Sequence, residues 1–170
     1  MIPMDNDLPP QKKKLAIGWF SFTCCEDSTI LLTELLNKNF DAWRKVVDFK
    51  HMKVLKTKND MTNLDVAFIE GAASSQKQED EMKKIRENAK YVIAVGSCAV
   101  TGLPSATRNQ FVDSELNEKI QWYIKTFSYG QKVKKLDEVV KVDDYVAGCP
   151  MNVELFTQTL DKYLKLFGII

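Results

Sequence analysis

Short apolar runs alternate along the chain with longer stretches in which apolar residues recur at helical spacing. Runs of strand length occupy 15–20, 64–71 and 91–96, and the last of these is β-branched and apolar on both faces. Helical spacing is clearest in 27–39 and 153–167, where apolar side chains return every three or four positions. Strands that are apolar throughout are typical of a parallel sheet with both faces covered. The alternation therefore predicts an α/β domain.

Weaker segments complete the pattern. A loosely alternating stretch at 47–54 predicts a half-buried strand, and a charged stretch ending near Lys90 predicts a helix. An amphipathic helix is predicted at 114–127 and a short strand at the end of 139–146, and Asn152 is expected to cap the last helix. Together the elements predict a flavodoxin-like, doubly wound sheet of four to five mostly parallel strands with helices on both faces.

The composition is that of one folded domain. Hydrophobic residues make up 45% of the 170 residues, which is enough to bury a core unaided. Residues 1–11 are polar and interrupted by prolines, so we expect a flexible N-terminal tail followed by a single domain at 12–170. A formal net charge of +1 gives no basic field that would attract nucleic acid.

The sequence also indicates the cellular compartment of the protein. No run approaches the ~20 consecutive apolar residues that a transmembrane helix needs. The first residues lack both the apolar core of a signal peptide and the paired arginines of a twin-arginine signal. We therefore expect a cytoplasmic protein with no direct membrane span. In that compartment disulfides are rare, and cysteines more often bind metals or take part in catalysis.

The chain has four cysteines, and each follows a predicted strand. The adjacent pair Cys24 and Cys25 follows the first strand, Cys98 follows the fourth, and Cys149 follows the fifth. Glu70 ends the third strand. Because sites in open α/β sheets form beyond the carboxyl ends of the strands, we expect all of these side chains at one edge of the sheet.

Four thiolates at one edge indicate either a zinc ion or an iron–sulfur cluster. Zinc sites usually use two Cys-x-x-Cys knuckles, whereas adjacent cysteines can serve different irons of a larger cubane. Gly96 and Gly148, close to the two lone cysteines, would let the backbone approach a cluster and donate hydrogen bonds to sulfur. Pro150 would fix the chain as it leaves toward the last helix. Two alternatives remain, namely ordinary buried cysteines and a redox dithiol.

Three motifs, taken in order, resemble the small subunit of nickel–iron hydrogenases. They are Cys24-Cys25-Glu26 after the first strand, Gly96-Ser97-Cys98-Ala99 after the fourth, and Gly148-Cys149-Pro150 before the last helix. The related 20 kDa subunit of respiratory complex I shares this pattern. Further matching pieces are Trp19, the run 65–71 and the pair Ser74-Ser75. The resemblance covers nearly the whole chain, and it uses every cysteine.

That resemblance implies a flavodoxin-like fold with one proximal 4Fe–4S cluster, bound by Cys24, Cys25, Cys98 and Cys149. The nickel–iron centre would belong to a separate large subunit, so this chain would carry no catalytic residue of its own. It would relay electrons between that centre and an external redox partner, such as an iron–sulfur or flavin protein. Because the chain has no further cysteines, the resemblance is to a minimal, cytosolic, single-cluster small subunit.

One departure keeps a second interpretation open. Most hydrogenases of this family have a first motif of Cys-x-x-Cys type, whereas the adjacent Cys24 and Cys25 match the complex I branch. A complex I-like 20 kDa quinone-site subunit is therefore the alternative. A third possibility, of a different class, is a zinc-stabilised α/β module without a redox role.

Several residues near the predicted site carry two interpretations each. Glu26 either relays protons from the active site or supplies a negative charge to the first turn of a helix capped by Asp27 or Ser28. Trp19 either keeps water away from the sulfurs or packs in the core. The charge of Arg108 either influences the cluster or forms a salt bridge at an interface. Alternatively, Arg108 is a solvated loop residue.

Two further side chains are expected to have structural roles. Glu70 ends a buried strand, where a carboxylate needs hydrogen-bond donors, so we expect backbone N–H groups to satisfy it. His51 is the only histidine of the chain and lies in a strand of mixed polarity. We therefore expect it at the surface or half-buried.

Overall fold

A computed structural model describes residues 13–111 and 117–170 of the chain. The predicted tail at 1–11 and the first part of the helix predicted at 114–127 lie outside the described residues. The elements, in chain order, are β1 (Leu15–Ser21), α1 (Asp27–Val46), β2 (Val47–Met52), β3 (Leu64–Glu70), α2 (Gln76–Asn88), β4 (Ala89–Val95), α3 (Gly96–Thr101), a 3₁₀ helix (Ser105–Gln110), α4 (Glu118–Thr126), a second 3₁₀ helix (Leu136–Glu138), β5 (Asp144–Val146) and α5 (Val153–Leu166).

The described strands form one five-stranded sheet in the order β2-β1-β3-β4-β5. Every pair of neighbouring strands is parallel. The strand order reverses between β1 and β3, which puts the topological switch point where the chain leaves these two strands. The prediction of a flavodoxin-like parallel sheet with helices on both faces is confirmed.

Alternating side chains of the central strands supply two separate cores. One face of the sheet packs against α1 and α5, with Trp19 and Phe68 in contact with Phe156 of α5. The other face packs against α2 and α3, with Ile69 in the same cluster as Met82 of α2. The helices thus form two layers, and both layers reach the carboxyl edge of the sheet.

Helix α1 differs from its prediction at both ends. It continues to Val46, because Trp43 and Val46 pack against the core beyond the predicted end at Asn39. At its start neither Asp27 nor Ser28 caps it. Its N-cap is Glu26, which has a left-handed backbone (φ 64°) and makes no side-chain capping hydrogen bond.

The segment after β4 is helical, although its glycine and proline residues, Gly102 and Pro104, are typical of a loop. Cys98 lies inside the short helix α3, and the 3₁₀ helix follows after Gly102. Gly102 closes α3 with a left-handed backbone (φ 84°), and its amide donates to the Cys98 carbonyl. Asn152 caps α5 as predicted, with its side chain accepting from the Leu155 amide.

The expected position of His51 was wrong, because the residue is buried rather than at the surface or half-buried. It is only 3% exposed and its ring stacks on the Phe20 ring at a centroid distance of 4.2 Å. Nδ1 lies 3.1 Å from the Trp19 carbonyl oxygen, so the ring donates this hydrogen bond from Nδ1. The alternating pattern of β2 did not reveal that its last two residues turn inward.

No helix within 13–111 or 117–170 is long and apolar enough to cross a membrane.

Candidate metal centre

All four cysteines line one cavity at the carboxyl edge of the sheet. They arrive from three strand ends, because Cys24 and Cys25 follow β1, Cys98 follows β4, and Cys149 follows β5. We call this space the cysteine cavity, and the other residues on its wall are Ser28, Glu70, Val95, Gly96, Ser97, Gly148 and Pro150.

Two of the thiols are held inside the protein. Cys98 is 7% exposed and clusters with Ala72 and Val133, with Cys24 packed against them. The Ser105 hydroxyl shares its one proton between the Thr23 carbonyl oxygen at 2.9 Å and the Cys98 sulfur at 3.2 Å. Ser105 therefore ties the third cysteine segment to the first.

Cys25 and Cys149 form the open side of the cavity, since both are exposed. Cys25 lies two residues before α1 and Cys149 four residues before α5, so both segments lead into the α1–α5 layer. Cys98, in α3, belongs to the opposite layer. The cavity thus spans the two helical layers, with an exposed half and a buried half.

The Gly148 backbone is required by the turn that presents Cys149. Gly148 has φ +123°, and a Cβ atom there would lie 2.5 Å from the Pro150 carbonyl oxygen. Its own carbonyl accepts from the Ser97 amide at 2.7 Å, which links the Cys149 turn to α3. The Met151 amide then donates to the Ser28 hydroxyl at 3.2 Å. The last two cysteine segments are therefore joined to each other and to α1.

Gly96 allows a similar close approach at the end of β4. It has φ +77°, and a Cβ atom there would lie 3.0 Å from the Ser28 hydroxyl oxygen. Any other residue would be strained in this conformation and would push on the wall of the cysteine cavity.

Glu70 is buried and receives hydrogen bonds from the start of α1. Its carboxylate accepts from the Ser28 amide at 3.0 Å and from the Thr29 hydroxyl at 2.6 Å. The Thr29 oxygen in turn accepts from the Trp19 indole N–H at 2.8 Å and lies 3.0 Å from the Ser21 hydroxyl. The expectation that Glu70 has hydrogen-bond donors holds, although one donor is a side chain rather than the backbone.

Burial raises the pKa of the Cys24 thiol to about 12, and the negative charge of Glu70 contributes in the same direction. Cys24 therefore stays protonated at neutral pH unless a cation replaces the proton. A metal centre would supply that positive charge.

Three predicted residues lie outside the cysteine cavity. Trp19 and Glu26 line a separate cavity together with His51. Arg108 lies in the 3₁₀ helix, where its guanidinium donates to the Gly130 carbonyl at 2.8 Å and stacks over Tyr129 at 5.6 Å. Trp19 reaches the cavity wall only indirectly, through Thr29 and Glu70.

The sequence reasoning missed three hydroxyl residues. Ser105, Ser28 and Thr29 bond to Cys98, to the Cys149 segment and to Glu70, respectively. The sequence did indicate Ser28 as a possible helix cap, but its hydroxyl instead accepts a hydrogen bond from the Met151 amide, in the turn that presents Cys149. Nothing in the local sequence separates Ser105 from its neighbours.

The donors on this wall are soft thiols, which suit zinc and iron–sulfur clusters. Across 13–111 and 117–170, no group of three or more histidine, cysteine, aspartate or glutamate side chains is arranged to hold a metal ion.

Comparison with known proteins places the chain in a family. The model of the NADH ubiquinone oxidoreductase 20 Kd subunit matches residues 24–163. A subunit of the F420-non-reducing hydrogenase of Methanothermobacter marburgensis is 29% identical over 170 residues, which cover 90% of this chain and 54% of that subunit. The NAD-reducing hydrogenase HoxS subunit delta of Cupriavidus necator is 25% identical over 182 residues, covering 96% of this chain and 85% of that subunit.

The chain thus spans about half the length of the Methanothermobacter relative and most of the Cupriavidus one. Among solved structures, a chain of an NAD⁺-reducing nickel–iron hydrogenase in the H₂-reduced state has a TM-score of 0.74 at 22% identity, covering 90% of this chain and 92% of that one. At this identity the likeness supports the fold alone. On the match over 24–163, the chain belongs to the family of the NADH ubiquinone oxidoreductase 20 Kd subunit.

Proposed function

We propose that the chain is the electron-transfer small subunit of a soluble nickel–iron hydrogenase and binds one 4Fe–4S cluster through Cys24, Cys25, Cys98 and Cys149. The observation that carries the proposal is that four cysteines from three strand ends line one cavity. In this family such an arrangement would leave the nickel–iron centre on a separate large subunit.

The adjacency of Cys24 and Cys25 favours a cluster over a single ion. A 4Fe–4S cluster binds each of its four cysteines through a different iron atom, so two neighbouring cysteines can each reach their own iron. A structural zinc ion needs four ligands around one point, at about 2.3 Å from each sulfur, and usually takes them from Cys-x-x-Cys pairs.

Each part of the wall then has a role. When bound, the cluster accepts and donates single electrons. The four cysteines would hold it, and Gly96 and Gly148 allow the left-handed backbone turns beside Cys98 and Cys149. The Ser105 hydroxyl donates to the Cys98 sulfur. Glu70 brings a negative charge to the wall.

Other residues act around the cluster at a distance. Trp19 orients Glu70 through Thr29 and closes the core behind it. Glu26 has an exposed side chain beside Cys25 and makes no capping hydrogen bond, so it is available to carry a proton at this edge. Pro150, by contrast, lies on the wall itself directly after Cys149, and Arg108 joins the 3₁₀ helix that follows Cys98 to the Gly130 carbonyl.

The named relatives support the hydrogenase role. Subunits of F420-non-reducing and NAD-reducing hydrogenases match this chain over most of its length. The partners would be a large subunit with the nickel–iron centre and a further iron–sulfur or flavin subunit. We propose one domain at 12–170 and a cytoplasmic location.

A complex I-like quinone-site subunit is the second candidate. It is favoured by the adjacency of Cys24 and Cys25 and by the description of the matching family. A nickel assay of the complex purified from its native source separates the two, because only the hydrogenase contains nickel.

The test of the cluster is anaerobic purification of the complex followed by iron, sulfide and zinc analysis. We expect about four irons and four sulfides per chain and a brown protein with broad absorption in the blue. A colourless protein with one zinc would support a non-redox module and overturn the proposal. Cys98→Ser should lose the cluster and the hydrogen-dependent reduction of external acceptors; full retention of both would contradict the ligand assignment.

A further inference from the structure

Helix α4 carries an exposed apolar surface beside the cysteine cavity. None of the side chains of Glu118–Thr126 is buried. Trp122 is 57% exposed and Phe127 58%. Ring contacts join the aromatic side chains into one row, which we call the aromatic row: Trp122, Tyr123, Phe127 and Tyr129.

The aromatic row ends at a cavity that reaches the cysteine edge. This cavity has a volume of about 580 Å³ and is lined by Tyr123 and Tyr129 on one side and by Thr23 and Ser105 on the other. Thr23 is covalently joined to Cys24, and the Ser105 hydroxyl bonds to the Cys98 sulfur at 3.2 Å. A single residue therefore stands between this cavity and each of two predicted ligands: Thr23 in the case of Cys24 and Ser105 in the case of Cys98.

Among the described residues around the aromatic row, positive side chains outnumber negative ones, since Glu118 is the one acidic residue of α4. Lys119 and Lys125 belong to α4, Lys132 follows in the next turn, and Arg108 stacks on Tyr129. Within the described ranges no salt bridge pairs these four side chains with a carboxylate. Such a rim suits a partner with an acidic surface.

We propose that the aromatic row is the docking surface of an acidic electron-transfer subunit, which exchanges electrons with the cluster by way of the Cys98 side. This inference rests on the proposed function and adds to it the face through which electrons leave. Exposed tryptophan and tyrosine are among the residue types that dominate binding energy in protein interfaces. Contiguous exposed apolar side chains are also a common feature of interaction sites.

The geometry also divides the partners between two sides. Cys25 and Cys149 are exposed in the segments that lead into α1 and α5, and a partner that keeps water from the cluster has to cover them. The aromatic row lies on the side of the α2–α3 layer, beside the start of α2 at Ser74 and Gln78. A catalytic subunit over the exposed thiols thus leaves the aromatic row for the redox partner.

The first test uses zero-length carbodiimide cross-linking of the complex purified from its native source. The reagent joins a lysine amine to a carboxylate in direct contact, so mass spectrometry identifies both. We expect Lys119, Lys125 or Lys132 to be linked to acidic residues of a subunit that carries flavin or iron–sulfur groups. Lys38, exposed on α1, is the control and should give no link to that subunit. Links to the nickel subunit or to a second copy of this chain, or no links from these lysines while other lysines react, would overturn the proposal.

The second test replaces Trp122 with alanine in the complex. We expect the hydrogen-dependent reduction of the physiological acceptor to fall about tenfold, because a docking contact is lost. Hydrogen-dependent reduction of a small viologen dye and the iron content should stay unchanged. The matched variant Tyr145→Ala, 42% exposed on edge strand β5, should leave all three unchanged.

The outcomes separate this inference from the proposed function. A complex without iron, or without viologen reduction, contradicts the hydrogenase role itself. A loaded complex in which Trp122→Ala reduces the physiological acceptor at the normal rate contradicts only the docking surface.

Discussion

The Ser105 hydroxyl oxygen lies 3.2 Å from the sulfur of Cys98, and its one proton is shared between that sulfur and the Thr23 carbonyl oxygen at 2.9 Å. Cys98 is the most buried of the four cysteines, and Ser105 begins the 3₁₀ helix that follows it. A hydrogen bond to a ligand sulfur stabilises the more negative, reduced state of an iron–sulfur cluster. The contact is therefore expected to influence electron transfer as well as the local fold.

Replacing Ser105 with alanine should lower the reduction potential of the cluster, because the reduced state loses a hydrogen bond. The measurement is a redox titration followed by electron paramagnetic resonance. Thr107→Ala is the matched control, since its hydroxyl bonds to the Pro104 carbonyl in the same 3₁₀ helix and not to a cysteine. An unchanged potential in Ser105→Ala, with the cluster still present, would contradict this role.

Replacing Thr29 with valine should destabilise the protein by about 1–3 kcal/mol, because a buried indole N–H and the Glu70 carboxylate each lose a partner. The shape of the side chain is preserved, so packing contributes little. Chemical denaturation measures the loss. Thr33→Val on the same helix removes only a hydrogen bond to the Ile30 carbonyl near the surface and should cost much less. Equal costs in the two variants would argue against the buried network.

Replacing Gly148 with alanine should disrupt the Cys149 turn, since the new Cβ would clash with the Pro150 carbonyl at 2.5 Å. We expect lower iron content and lower thermal stability. Gly168→Ala is the control, because Gly168 also has a left-handed backbone (φ +64°) but no atom within 4 Å of the new Cβ. It should show only the backbone cost of about 1–2 kcal/mol and full iron content. If the two variants kept the same iron content, the turn would not need glycine.

The free energy of unfolding should fall as the pH drops below the ordinary histidine pKa of 6.5. Burial lowers the pKa of His51 in the folded protein, so the unfolded chain takes up a proton that the folded chain refuses. The contribution of neutral His51 to the free energy of unfolding is complete above pH 6.5, and it is lost as the pH falls toward the pKa of His51 in the folded protein. Because His51 is the only histidine, denaturation curves at pH 7.5 and 5.5 can be compared directly with His51→Gln. The free energy of unfolding should change less between pH 7.5 and 5.5 in the variant than in the original protein. An equal change in both proteins would rule out His51 as the cause.

The sheet and the meeting of the cysteines were predictable for a simple reason. The runs at 64–71 and 91–96 are apolar on both faces, as central parallel strands require. Once the strands are parallel, all their carboxyl ends share one edge, so the residues that follow them converge. Asn152 was predictable because its capping bond is local, made three residues along the chain.

Contacts between distant segments were not predictable in this way. Ser105 meets Cys98 and Thr23 only after the 3₁₀ helix folds back over the edge. His51 belongs to a strand in which the alternation of polar and apolar residues suggested a solvent-exposed face. Its ring nevertheless stacks on Phe20 of the neighbouring strand. The left-handed turn at Glu26 gives no signal in composition, because glutamate rarely adopts it.

The division of the cysteines between the two helical layers has a consequence for folding. Cys25 and Cys149 precede helices on one face of the sheet, and Cys98 lies in a helix on the other. A centre bound by all four would act as a cross-link between the two layers and would close loops that span most of the chain. Its assembly would then complete the tertiary structure, and its loss would release both layers at once, so cofactor content and resistance to proteolysis should rise and fall together.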